Sequence, residues 1–297
     1  MARLAFLGSP DAAVAALRAL VDAGHDVVTV VSRADARRGR GPQRTASPVK
    51  RAALELGLPV TDDLDTVVTA GAELGVVVAY GRIVPRRVLD ALSMVNVHFS
   101  LLPRWRGAAP VERAVLAGDD VTGVSLMRLE EGLDTGPVLA SVSVDIEAHE
   151  HAGALTRRLS VVGAGLLVDA LAGGVNGLPQ ARPQEGAPSY AAKIEPDELH
   201  LDWERPALEL ERVVRLDRAW TTFRTERLRV LDAVVADTTL PSLAPGEVRD
   251  ALVGTGEGLL RLVRVQAAGR RPMDAPAWWR GTRPGADERL GAGHPDR

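Results

Sequence analysis

Two rhythms of apolar and polar positions run along this chain, and the change from one to the other divides it. In the N-terminal part, continuous apolar runs such as RLAFLGS, HDVVTVVSR and LGVVVAYG are separated by stretches whose apolar residues recur at helical spacing. A short apolar run bounded by turn residues is the pattern of a strand buried on both faces, as in a parallel sheet covered by helices. The spacing predicts a helix after Pro10 that stops at Gly24, a second over Val49 to Leu56 and a third over Pro85 to Leu92, with a short strand near Val60. MVNVHFSL follows as a further strand, and a long helix is predicted over His149 to Leu171. Strands alternating with helices in this way predict an α/β fold, a doubly wound, mostly parallel Rossmann-like sheet over residues 1–178.

The second rhythm begins after a Gly- and Pro-punctuated stretch, AGGVNGLPQARPQEGAPSY, which reads as a linker over residues 179–204. Past a helix over Pro206 to Leu216, the segments WTTFRTERLRVLDAVVAD, GEVRD and ALVGTGEGLLRLVRVQAAG read as short alternating strands with turn residues between them. That pattern predicts a small C-terminal antiparallel β-barrel, OB-like, over residues 205–297, with RPGADERLGAGHPDR as a frayed tail.

Composition narrows the function. A chain of 297 residues is long enough for two domains, each with its own core. The absence of cysteine removes disulfides, thiolate nucleophiles and zinc-thiolate sites together. The first apolar run is too short for a signal sequence and no later run approaches a membrane span, so a cytoplasmic protein without a membrane partner is expected. The net charge of −3 advertises no nucleic acid. Its distribution is less even, because residues 205–297 carry 16 arginines against 13 acidic residues, a surplus of three. A second basic stretch, ADARRGRGPQRTASP, reads as an exposed loop.

Several site types fall away. VGTGEGLL is glycine-rich but is followed by no helix, and GSPDAA joins strand to helix without the later glycines of a dinucleotide fingerprint. His149 and His151 in HEHAG have no third metal ligand in view, and no metal is expected. Ser100 beside His98 suggests a hydrolase, but no nucleophile-elbow sequence surrounds it.

What remains is Asn96 and His98, two apart on one side of a strand otherwise apolar, and Asp134 between Gly132 and Gly136 in EEGLDTGPVLA. A single buried histidine is commonly a satisfied core residue, and an aspartate flanked by glycines is ordinary turn chemistry. Together they form a set suited to addition at a carbonyl: one group to move a proton, one to support it and an amide to meet developing negative charge.

At these residues the sequence resembles the folate-dependent formyltransferases, whose motif is Asn-x-His followed by SLLP and a later Asp. NVHFSLLPRWRGAAPV and GLDTG carry the likeness. It is closest to the branch acting on methionyl-tRNA, through FLGSPDAAV, GRGPQRTASPVK, VVVAYGRIVP, TGVSLMRLEEGLDTGPVLA, SYAAKI and LDWERPA. The resemblance implies transfer of a formyl group from 10-formyltetrahydrofolate to the α-amine of methionyl initiator tRNA. It implies that Asn96 and His98 polarise the formyl carbonyl, and that Asp134 holds His98 and helps take the amine's proton. Ser100, Leu101, Leu102 and Pro103 would shape the folate wall with Tyr80 and Gly81, and the chain would work as a monomer. Arg37, Arg38, Arg40 and Arg44 would approach the acceptor stem, with Arg40 at the family's key arginine position. Two departures stand out: VVRLDRAWTTF (Arg215 to Thr222 and its flanks) is short and proline-free where the branch has a proline-rich turn, and Phe99 stands where a small residue is common, which predicts a narrower formyl site. An amino-sugar nucleotide acceptor, or a non-catalytic paralogue binding folate or RNA, would use the same motif.

Overall fold

The structure, a computed structural model, describes residues 1–37, 44–237, 243–285 and 288–292. The chain forms two compact units. The first comprises residues 1–111, 121–145 and 156–192, and the second comprises 112–120, 146–155 and 193–297. The stretch read as a linker is therefore divided, its residues 179–192 packing with the first unit and 193–204 with the second.

The first unit is built on a seven-stranded sheet: β1 (Arg3–Gly8), β2 (Asp26–Val31), β3 (Val60–Thr61), β4 (Leu74–Val78), β5 (Met94–His98), β6 (Val121–Arg128) and β7 (Val138–Asp145). Their spatial order is β7-β6-β5-β4-β1-β2-β3. Pairings from β3 through β5 are parallel, and β6 and β7 add antiparallel. All five residues of β4 and of β5 are buried, which is why β4 reads as an unbroken apolar run and β5 as one interrupted only by Asn96 and His98. The helices Val14–Asp22, Pro48–Glu55 and Arg86–Ala91 fall where the spacing predicts, and Ser47 caps the second by accepting from the Lys50 N–H. The long helix spans Ala152–Ala170. Strand order reverses between β1 and β4, so the carboxyl ends of these strands open the crevice in which doubly wound sheets place their ligands.

The second unit carries a six-stranded antiparallel sheet curled into a half-barrel. Its strands are β8 (Trp220–Phe223), β9 (Glu226–Val235), β10 (Val248–Arg249), β11 (Leu252–Gly254), β12 (Leu259–Ala267) and β13 (Met273–Asp274). They run in the order β8-β9-β12-β11-β10, with β13 also on β12. Helix Ala207–Val214 and the pair Trp278 and Trp279 close its core. The tail is not frayed throughout, as the sequence led us to expect. Leu290 is buried in this core, its N–H donates to Gly246, and the Gly291 N–H donates to Thr222. Glu288 pairs with Arg224 and Arg289 bridges to Glu247, so polar contacts join the buried apolar Leu290 in anchoring it. Among the described residues, no helix is long and apolar enough to cross a membrane.

Candidate active site

On β5 the side chains alternate, so Met94, Asn96 and His98 point to one face of the sheet and Val95 and Val97 to the other. The Val97 face packs on the long helix, where Gly163 lets the helix come close: a Cβ there would lie 2.8 Å from Val97 and 3.6 Å from the Phe99 ring. The Phe99 ring thus lies against the long helix, on the face of the strand opposite His98.

His98 is 6% exposed and Asn96 9%. The imidazole Nε2 lies 2.9 Å from the carbonyl oxygen of Trp105. A carbonyl can only accept, so Nε2 carries the hydrogen and Nδ1 is left for other work. Asp134 Oδ2 stands 3.7 Å from Nδ1, beyond hydrogen-bond distance. The expectation that Asp134 holds the ring is met by a different group, since Trp105 tethers it from the opposite nitrogen. Asp134 itself accepts from the Gly107 N–H at 2.8 Å. Among the described residues the Asn96 side chain makes no hydrogen bond, and its amide is not sealed from solvent although the residue is only 9% exposed.

The turn after β5 delivers both backbone groups. Ser125, opposite His98 on β6, donates to the Ser100 carbonyl at 2.7 Å and accepts from the Leu102 N–H at 3.1 Å. Ser100 Oγ donates to the Arg104 carbonyl at 2.5 Å. The Leu102–Pro103 bond is cis, and Trp105 has a φ of +60° with its N–H on Ser189 Oγ at 2.9 Å. Arg106–Gly107 then pairs in parallel with Tyr190–Ala191. Gly107 is required there: its φ is +123°, and a Cβ would sit 2.8 Å from the Ala191 carbonyl oxygen. Asp134 has a φ of +50°, a conformation aspartate tolerates better than most residues.

Two family models match this chain, formyl transferase over residues 2–171 and formyl transferase C-terminal domain over residues 193–283. The chain belongs to the formyl transferase family. A methionyl-tRNA formyltransferase of Phenylobacterium zucineum is 46% identical, covering 94% of this chain and 97% of its own. One of Streptomyces coelicolor is 44% identical, covering 97% and 99%. An N-formyltransferase from Helicobacter canadensis, solved with folinic acid and dTDP-3-aminofucose, superposes with a TM-score of 0.69. It is 16% identical, covering 91% of this chain and all of its own, and so speaks for the fold alone.

Within this formyl transferase, the structure brings together Asn96, His98, Asp134 and the Ser100–Pro103 turn. Tyr80 and Gly81 follow β4 directly. The Tyr80 ring lies in the apolar cluster with Val84, Val88 and Met94. Among the described residues no well-formed hydrogen bond reaches its buried hydroxyl, and the Arg82 guanidinium, whose carbon lies 5.8 Å from the ring, is the group that acts on it. Burial pushes its pKa up, and the charge of Arg82 offsets this in part. Arg38 and Arg40 lie outside the described residues, as does the Arg37 side chain. Arg44 is exposed, and Arg44–Thr45 pairs antiparallel with Ala36–Arg37. His149 and His151 face Glu211 at 2.9 Å and Asp217 at 2.8 Å. Asp217, in the short proline-free segment, has a φ of +65° and also accepts from the Gly153 N–H. Sequence reasoning missed the Trp105 carbonyl, the Gly107 N–H and Gln184. The first two are backbone groups with no side-chain signature, and Gln184 sits in a stretch that reads as connector.

Proposed function

We propose that this chain transfers the formyl group of 10-formyltetrahydrofolate to the α-amine of methionyl initiator tRNA, in the cytoplasm and as a monomer. The observation that carries the chemistry is the half-tethered imidazole. Nε2 is committed to Trp105, Nδ1 is left beside a carboxylate, and an amide without a protein partner stands two residues earlier on the same face. The choice of acceptor rests on full-length relatives named methionyl-tRNA formyltransferase at 44–46% identity. The amino-sugar reading has only a fold likeness at 16% identity behind it.

The folate, when bound, supplies a formyl carbon on N10. The residues fit such a guest, since the Asn96 amide makes no hydrogen bond among the described residues and is open to a ligand at the carboxyl end of β5, and the Tyr80 hydroxyl is a buried polar group just past β4. Ser100 to Pro103, Tyr80 and Gly81 form its wall on this reading. The methionyl amine bonds to the formyl carbon, the bond from that carbon to N10 breaks, and the proton shed by the amine ends on N10. Asn96 donates to the formyl oxygen as negative charge develops there, and so does His98 through a protonated Nδ1. Asp134 supports that imidazolium and relays the amine's proton. Donors aimed at developing charge in a site shielded from water contribute a few kcal/mol each. The arginines at 37, 38, 40 and 44 would take phosphates of the acceptor stem.

The test is mass-spectrometric detection of the formylated acceptor, N-formylmethionine or an N-formyl sugar nucleotide, after incubating the purified chain with 10-formyltetrahydrofolate and either methionyl-tRNA or a dTDP-amino sugar. Formylation of the tRNA alone is expected. Formylation of the sugar alone would replace the acceptor, and no transfer to either would favour the non-catalytic paralogue.

A further inference from the structure

Gln184 touches none of the three residues assigned to chemistry through their side chains, yet it ties the backbone of the Asp134 turn to the side chain of Arg106. Its Nε2 donates to the carbonyls of Asp134 and Gly136, each at 2.8 Å. Its Oε1 accepts from Arg106 Nε at 3.1 Å and Nη2 at 2.7 Å. Guanidinium only donates and a carbonyl only accepts, so the amide has one possible orientation and its hydrogen-bonding capacity is filled. One end of this side chain fixes the turn that carries the Asp134 carboxylate. The other fixes Arg106, the residue before Gly107, whose N–H binds that same carboxylate at 2.8 Å.

The geometry points to Gln184 as a positioning residue for formyl transfer: it sets the carboxylate of Asp134 against Nδ1 of His98. The inference rests on the functional reading of this site given above. The same stretch also secures the imidazole, because Ser189 Oγ accepts from the Trp105 N–H, and the Trp105 carbonyl anchors Nε2. Residues 184–191 thus brace both members of the pair from one side. A polar side chain with four bonds at 3.1 Å or less holds position far better than a turn left to itself.

Gln184→Glu is the sharpest probe. It keeps the size of the side chain and the pairing with Arg106, but it sets a non-donating oxygen against two carbonyl oxygens. The Asp134 turn must then retreat. A displacement of about 1 Å at a reacting group lowers turnover on the order of 100-fold. The experiment uses the full chain as wild type, Gln184→Glu and Gln184→Ala. It measures kcat and both KM values with 10-formyltetrahydrofolate and methionyl-tRNA, the pH dependence of kcat, thermal unfolding, and the Gly107 amide resonance by NMR. The expected result is a roughly 100-fold lower kcat with both KM values within about threefold of wild type, a displaced pH profile and a shifted Gly107 amide in Gln184→Glu. Wild-type kcat and pH profile in Gln184→Glu would overturn the proposal, whether or not Gln184→Ala folds. A wild-type chain that transfers no formyl group would defeat the functional reading instead. The Gly107 resonance then decides the positioning claim alone: a shift in Gln184→Glu upholds it and an unmoved signal overturns it.

Discussion

A histidine tethered through one nitrogen differs from a core histidine whose two nitrogens are both satisfied, and His98 is of the first kind. Among the described residues the Asn96 side chain also makes no hydrogen bond, and the buried Tyr80 hydroxyl has only the Arg82 guanidinium near it. A polar group left unmet in an interior costs about 1–3 kcal/mol, so the Tyr80 hydroxyl is one that a guest would satisfy. Tyr80→Phe separates the two uses of its hydroxyl. If the hydroxyl serves the folate, the KM for the formyl donor rises between about threefold and tenfold, the equivalent of one hydrogen bond, while thermal stability is unchanged or higher. An unchanged KM with lower stability would assign Tyr80 to the core alone.

At the scale of elements, periodicity made most of the first unit legible. β4 and β5 announce themselves by continuous apolar runs, and Asn96 and His98 stand out because they interrupt one. The turn after β5 was legible only as a motif. Its working parts are a carbonyl and an N–H, placed by Ser125, Ser189 and the Arg106–Gly107 ladder, and such long-range partners leave no local pattern. Gln184 and Leu290 escaped for the same reason: each is an anchoring residue inside a stretch whose average character is that of loop. The segment at His149 to Gly153 offered no local signal of its partners, and within the second unit its side chains and backbone pair with Glu211 and Asp217. Its hydrogen bond to Asp217 raises the pKa of His151, with burial pulling the other way and Asp217 and Asp232 adding charge attraction. A pKa raised by folding contributes stability in full below the unfolded value near about 6.5, and that contribution is lost as pH rises through the folded value. Chemical denaturation followed from about pH 5.5 to 8.5 should therefore show wild type losing stability relative to His151→Gln as pH increases across that range. Parallel curves would mean this pairing adds nothing that titrates.

Over the whole molecule, a net charge of −3 conceals basic regions at residues 33–51 and 205–297, and these rather than the mean decide what an anionic partner meets. Each arginine–phosphate contact releases counterions, so replacing Arg40 or Arg44 with Ala should weaken use of methionyl-tRNA and reduce the salt slope of binding by about one unit, with folate KM unchanged. An unaltered slope in both variants would remove this loop from tRNA recognition. The central claim, that Asn96, His98 and Asp134 perform formyl transfer, is tested most directly by single-turnover formylation of methionyl-tRNA with enzyme in excess, comparing wild type with His98→Ala and Asp134→Asn. Single turnover isolates the chemical step from product release. The account predicts that each substitution slows that step on the order of 100-fold or more while folate affinity stays close to wild type. A wild-type rate in either variant would contradict it.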